Sequence, residues 1–347
     1  MAVDSGQGVN GLRTIDELRI LQALPLELKV AKTKLRIREW VNEFGVDGVY
    51  VAFSGGKDST VLLHIVRQLY PDVEAVFVNT GLEYPEIQRF VKTFDNVTIL
   101  RPKMRFDEVI KNYGYPLLGK EIALKIEYAR KGSGWAIKCV DGTSGKASRY
   151  NIEKYKPLVD ADFLISSRCC SVMKKTPLHD YAKRTGKVSI TAQTADESAL
   201  RTQQWLINGC NGFAMKAPIS NPMSFWVEQD VLQYIKQNNL PMASVYGDIV
   251  YAENGEQLRL CDQGECLKTT GCDRTGCIFC GFGCHLEKSP TRFQKLKQTH
   301  PRQYEYCIGG GEFNEDGIWQ PNKQGLGMGY VFEQLNKIYG ENFIKYK

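Results

Sequence analysis

The stretch Ser54-Gly55-Gly56-Lys57-Asp58-Ser59-Thr60 gathers the residue types best suited to holding a phosphate. Adjacent glycines reach backbone angles closed to other residues, so successive N–H groups can converge on one oxyanion. Lys57 adds a positive charge, and Ser54, Ser59 and Thr60 add hydroxyl donors. Asp58 adds a carboxylate oxygen of the kind that Mg²⁺ on a polyphosphate prefers. Lys57 and Asp58 are therefore the candidate catalytic pair. Such a cradle needs a strand to deliver it and a helix N-terminus behind it, whose unpaired N–H groups and dipole favour an anion. The β-branched run Val49-Tyr50-Val51-Ala52-Phe53 and the helical pattern from Val61 supply both. The adjacent glycines, with Asp directly after Lys, exclude the Walker spelling G-x-x-x-x-G-K-[ST].

A second group can hold a metal. Cys169-Cys170 precedes a Lys-Lys-Thr-Pro-Leu run, and Cys277-Ile278-Phe279-Cys280 is a C-x-x-C clamp. Four thiolates from two such clamps suit a [4Fe–4S] cluster or a tetrahedral zinc, and a cysteine-pair redox switch is a third use. Spacing alone leaves these open. Cys261, Cys266 and Cys272 could make a second small site, and Cys272 or Cys284 could serve as alternative ligands. Cys139 and Cys210 read as ordinary thiols. The four histidines are scattered, and only His285 stands beside a cysteine of this group.

Alternating elements position these residues. Residues 14–44 read as one or two helices, opened by a Thr14…Glu17 capping box. Strands are expected at 46–53, 73–78 and 97–100, with helices at 59–69 and 84–93 between them. Sheet pattern resumes at 188–191, and a further helix covers 228–237. This order predicts an α/β fold with a doubly wound, mostly parallel sheet whose ligands bind at the carboxyl ends of the strands. Thr80, Gly81 and Glu83 follow the second strand, at its carboxyl end, and are candidate ligand contacts. Three regions are expected: an N-terminal helical segment over 1–45, a nucleotide-binding domain over 46–245 with a Lys-rich insertion at 119–156, and a cysteine-rich C-terminal extension over 246–347. Residues 1–13 read as disordered, 132–150 as a loop or lid, and 309–329 as a Gly-rich loop.

Composition sets the outer bounds. A 347-residue chain with 43% hydrophobic and 24% charged residues is of ordinary globular type. No apolar run approaches the roughly 18 residues of a membrane span, and the N-terminus lacks a signal-peptide pattern. The expectation is a cytoplasmic protein without a membrane partner, its eleven cysteines reduced or metal-bound rather than joined in a disulfide framework. The net charge of +6 is mild, but basic residues crowd 120–156 and 174–187, which suits a polyanionic partner such as a nucleic acid.

The S-G-G-K-D-S spelling resembles the pyrophosphate loop of the adenine nucleotide alpha hydrolases, which include the ATP pyrophosphatases and the phosphoadenosine phosphosulfate (PAPS) reductases. The cysteines narrow the likeness to the iron–sulfur branch of the PAPS reductase family. There a Cys-Cys followed by Lys and Pro-Leu joins a later C-x-x-C to bind [4Fe–4S]. The matching positions are Cys169, Cys170, Cys277 and Cys280. Thr194 to Arg201 resembles that family's E-S-x-x-R segment, which places Arg201 on a phosphate. The run from Pro222 to Tyr246 resembles its approach to the C-x-x-C. The resemblance spans most of the chain, about Val46 to Cys284, and implies an adenine nucleotide ligand: ATP, PAPS or adenylylsulfate.

Three departures bear on the reaction. Sulfonucleotide reductases carry a nucleophilic cysteine near the C-terminus, whereas the last cysteine here is Cys307, in a different setting. An arginine common in the reductases is replaced by Gln193 or Thr194. The Lys-rich insertion is longer than a minimal reductase requires. These favour an ATP-dependent, adenylating enzyme of sulfur transfer, using Mg²⁺ with ATP and a nucleic acid or sulfur-donor protein as further partner. The alternatives are a reductase with Cys307 as nucleophile and a non-catalytic nucleotide or redox sensor.

Overall fold

The computed structural model describes residues 13–145, 150–252 and 266–347. The expectation for the first 12 residues, and the metal role suggested for Cys261, lie outside the described residues. The chain condenses into two compact units that interleave along the sequence rather than follow one another. The first comprises Met1–Val78, Tyr84–Leu100 and His179–Thr275, and the second Asn79–Glu83, Arg101–Leu178 and Gly276–Lys347.

The first unit is built on a six-stranded sheet: β1 Val49–Ala52, β2 Ala75–Val78, β3 Val97–Leu100, β4 Val188–Ile190, β5 Asn211–Gly212 and β6 Ile219–Ser220. Their spatial order is β3-β2-β1-β4-β6-β5. All neighbours run parallel except β5 with β6. The chain leaves β1 toward β2 and later returns on its other side as β4. The end of β1 is thus the switch point at which an open α/β sheet binds ligands.

Residues of β1, such as Val49 and Val51, are fully buried, as a central parallel strand requires. The core joins them to Leu62, Ile65 and Val66 of the helix behind the loop, and to Ile37 and Trp40 of the long helix Leu26–Phe44. That N-terminal helix is integral to the unit. Its buried Lys29 ammonium bonds both carboxylate oxygens of Asp230 at 2.6 and 2.8 Å. Asp230 also accepts the Val227 N–H and so caps the helix Glu228–Gln237. The Thr14–Glu17 capping box is present.

The second unit is mainly helical. Leu117–Leu118 pairs in parallel with Gly281–Phe282, and a small hairpin joins Glu312–Phe313 to Trp319–Gln320. Residues 132–150 are not wholly a loop: Gly134–Val140 is a helix, burying Ala136, Cys139 and Val140. Its flanking glycines and serine disguise a short apolar face. The Gly-rich region 309–329 is ordered by that hairpin and by Tyr115, whose hydroxyl donates to the Leu326 carbonyl at 2.8 Å.

Candidate functional site

The loop expected to hold phosphate follows β1. Gly55 has φ +72°, and a Cβ there would lie 2.7 Å from a Val91 methyl and 2.9 Å from an Ile87 methyl. Only glycine fits both the angle and the space. Gly56 differs from expectation: its φ of −77° is open to any residue, and it serves as N-cap. The helix starts at Lys57, two residues earlier than the hydrophobic pattern implied, and runs to Leu69. Lys57 and Asp58 therefore occupy its first turn.

The loop is tightly cross-linked. The Ser59 hydroxyl receives the Ser54 N–H at 3.2 Å and lies 3.0 Å from the Ser54 hydroxyl. The Gly56 N–H donates to the Ser54 hydroxyl at 3.3 Å. Ser59 and Thr60 hydroxyls donate back to the Gly56 carbonyl at 2.9 and 3.0 Å. The Lys57 side chain is 3% exposed and pairs with Glu228 through a short contact. It also donates to the Asp273 carbonyl at 2.6 Å. The Lys57 N–H donates to the Tyr246 hydroxyl at 3.3 Å, and that hydroxyl is 2.6 Å from the Thr275 hydroxyl.

Charge gathers around this turn. Burial raises the Asp58 carboxyl above its ordinary value, opposed by Lys57 and Arg274. Arg201 pairs with Glu197, and Arg274 lies 3.9 Å from the same carboxylate. Burial and the adjacent Arg274 charge lower Arg201, with Asp58 acting the other way. Arg201 thus belongs to the electrostatic surroundings of the loop. Glu228, Tyr246, Asp273, Arg274 and Thr275 are additional members that sequence reasoning did not assign to the loop.

Thr80, Gly81 and Glu83 belong to the second unit. The Glu83 carboxylate accepts the Thr80 N–H at 2.9 Å and the Thr80 hydroxyl at 2.7 Å, closing its own turn. It also lies 3.7 Å from the Lys174 ammonium. Gly81 has φ +76° and donates its N–H to the Asn79 side chain.

The four predicted thiols all lie in the second unit, each within electrostatic reach of others. Cys169 and Cys170 enter a helix through a π turn at Ser171–Lys175. Arg168 anchors that entry by donating to Glu127 at 2.8 Å. The C-x-x-C turn is closed by the Cys280 N–H on the Cys277 carbonyl at 3.1 Å. It is tied down by the Ile278 N–H on the Leu82 carbonyl and by Arg292 on the Cys280 carbonyl.

Burial pushes the Cys277 thiol up to about 11, with Lys174 opposing and Cys280, Glu83 and Cys170 reinforcing. Cys169 and Cys280 are raised by burial first, and both feel Cys170. Burial works against the Lys174 charge, but Cys277 and Glu83 outweigh it and hold the ammonium above its ordinary value. A sulfur-rich donor set with its own countercharge has the chemistry of a thiolate metal centre. Among the described residues, no group of three or more His, Cys, Asp or Glu is already set at metal-holding geometry.

The remaining cysteines are placed as follows. Cys284 is buried and pushed up to about 12 by burial. Cys266 is disulfide-bonded, against the expectation of a thiol or metal ligand. Cys307 is fully buried, donates to the Met328 sulfur at 3.4 Å, and has its thiol raised well above the ordinary value by burial. A nucleophilic thiolate needs solvent or a substrate beside it, so Cys307 is not placed for the role the reductase reading gave it.

The basic insertion is partly engaged internally. Lys125 is buried on Glu121 and the Tyr150 carbonyl, Lys131 and Arg168 share Glu127, and Lys156 pairs with Asp141. No helix among the described residues is long and apolar enough to cross a membrane.

The chain is similar in sequence to known reductases. The family model for the phosphoadenosine phosphosulfate reductase domain matches residues 48–116 and 121–281. An adenosine 5′-phosphosulfate reductase of Lysinibacillus sphaericus is 26% identical over 208 residues, covering 60% of this chain and 71% of that protein. A phosphoadenosine 5′-phosphosulfate reductase of Xylella fastidiosa is 22% identical over 231 residues, covering 66% and 80%. The crystal structure of a PAPS reductase from Candida auris, a phosphate complex, aligns with TM-score 0.36 at 14% identity over 67% of this chain and 90% of that one. With its phosphate loop, parallel sheet and both cysteine pairs inside the matched segments, the chain belongs to the phosphoadenosine phosphosulfate reductase domain family.

Proposed function

We propose that the protein is an adenine-nucleotide enzyme that cleaves Mg²⁺-bound ATP between the α- and β-phosphates and passes the adenylyl group to an acceptor in sulfur transfer. The observation that carries this reading is the loop after β1, where Lys57 and Asp58 share the first turn of the helix behind a positive-φ glycine. In the reaction an acceptor oxygen attacks the α-phosphorus, the bond from that phosphorus to the bridging oxygen breaks, and pyrophosphate leaves with the electron pair. The loop N–H groups and Lys57 hold the leaving pyrophosphate and offset its growing charge. Asp58 would supply a carboxylate oxygen to the Mg²⁺ carried in with the nucleotide. Thr80 and Gly81 are proposed adenosine contacts and Arg201 a phosphate contact.

Cys169, Cys170, Cys277 and Cys280 would hold a [4Fe–4S] cluster, or zinc in its place. When bound, the cluster supplies one-electron chemistry and a local field. Lys174 offsets the thiolate charge there, and burial of Cys169 limits access of water.

A second reading, sulfonucleotide reduction, is favoured by the relatives named as adenylylsulfate and PAPS reductases. With Cys307 sealed in the core, its nucleophile would have to be another thiol, such as the half-buried Cys272. The two readings part on products. Incubation with Mg-ATP and fractionated cellular nucleic acid should release pyrophosphate and label the acceptor with AMP. Release of sulfite from PAPS or adenylylsulfate, lost in Cys272→Ser, would replace the first reading with the second.

A further inference from the structure

The phosphate loop already holds two groups of the kind a polyphosphate would present. The Tyr246 hydroxyl oxygen takes the Lys57 N–H, and the Glu228 carboxylate takes the Lys57 ammonium. The first lies where an N–H at a helix N-terminus meets an anion oxygen. The second is the negative charge that a buried lysine requires. Tyr246 is fixed by the backbone around it: its N–H donates to the Ala243 carbonyl at 3.0 Å, and its carbonyl receives the Gly271 N–H at 2.9 Å. Tyr246 as a whole is 2% exposed. Its hydroxyl has a second partner in Thr275 at 2.6 Å. That second bond matters energetically. A phenol that loses the Lys57 N–H is not left as a buried orphan, because Thr275 keeps it satisfied.

We propose that Tyr246, braced by Thr275, is a positioning residue whose hydroxyl competes with a phosphate oxygen for the Lys57 N–H and yields it when a polyphosphate arrives. Glu228 plays the matching part for the ammonium. A ligand must displace both partners, so the loop favours ligands with a pyrophosphate-like charge over monophosphates such as AMP. This inference rests on the nucleotide reading above and adds which groups set affinity and selectivity.

The test is calorimetric titration of inorganic pyrophosphate and of AMP into wild type, Tyr246→Phe and Thr275→Val. Tyr246→Phe keeps the buried ring and removes only the competing hydroxyl, and unchanged thermal melting checks its fold. A net hydrogen bond of about 1 kcal/mol corresponds to a tightening of roughly fivefold for pyrophosphate. Thr275→Val removes the fallback partner, so displacement leaves the phenol unpaired and pyrophosphate binds more weakly. A purely structural tyrosine would give weaker or equal binding in the phenylalanine variant. Pyrophosphate binding by wild type with no tightening in Tyr246→Phe overturns this inference alone. No pyrophosphate binding by wild type or Tyr246→Phe overturns it together with the nucleotide reading. Binding only in Tyr246→Phe supports it.

Discussion

The Lys57 ammonium donates to the backbone carbonyl of Asp273 at 2.6 Å, across 216 residues of sequence. This bond ties the first turn of the phosphate-loop helix to the segment that leads into the C-x-x-C. It also fixes the direction of the one lysine charge in the loop. Lys57→Gln should lower kcat/KM for the nucleotide reaction by about 100-fold, the scale of losing one preorganised charge-stabilising donor. Steady-state kinetics with matched thermal melts checks it. An unchanged kcat/KM would remove Lys57 from the chemistry.

Gly55→Ala should destabilise the fold by about 2–4 kcal/mol, because it adds a Cβ at φ +72° against the Val91 and Ile87 methyls. Urea unfolding measures this. Gly56→Ala is the contrast: its φ is ordinary and the nearest atom to a new Cβ is the Tyr246 hydroxyl at 3.2 Å. It should change stability by less and ligand binding by more.

Cys307→Ser should leave turnover intact, since the thiol is sealed against Met328. Complete loss of activity in a variant that melts like wild type would show that Cys307 reaches the substrate after all.

Cys277→Ser and Cys280→Ser should each lose metal after anaerobic reconstitution with iron and sulfide, while wild type and Cys139→Ser bind about four irons per chain. Metal analysis and the visible absorption of the cluster read the outcome. Zinc in wild type without iron would select the other metal, and equal metal in all four proteins would remove these cysteines as ligands.

Acid stability offers a check on the sheet. Glu74 is penalised by burial, but bonds from Lys187, Thr98 and Tyr181 overcome this and hold its carboxyl below the ordinary value. A depressed acid contributes stability that is present above its unfolded value and lost as pH falls through the folded one. Wild type should therefore lose stability as pH drops below about 4.5, and Glu74→Gln should lose less over the same range. Urea midpoints at pH 7 and pH 3.5 compare them, and parallel losses in both proteins would contradict the assignment.

Local pattern marks the turn and pairs the cysteines. Gly55 signals its turn because only glycine takes that angle, and the four cysteines are grouped by their spacing in pairs. The sheet is visible because β1, β2 and β3 each follow the strand–helix alternation. The partners of Lys57 were not legible. Glu228 reads as a helix-start acid and Asp273 contributes a carbonyl, which leaves no mark on residue type. Tyr246 closes a run that carries the family resemblance, but nothing local shows that its hydroxyl turns toward a loop 189 residues earlier. The helix Gly134–Val140 was hidden by its glycine and serine flanks. The burial of Cys307 depends on packing around Met328, which periodicity does not report.

Ligand-induced thermal stabilisation of anaerobically purified protein by Mg-ATP, PAPS and adenylylsulfate, each against wild type and Lys57→Gln, is the most direct measurement. A ligand that binds only the folded state stabilises it by RT ln(1 + [L]/Kd). Mg-ATP should give the largest shift in wild type and a much smaller one in Lys57→Gln. A shift from the sulfonucleotides alone, or equal shifts in both proteins, would contradict an ATP site built on this loop.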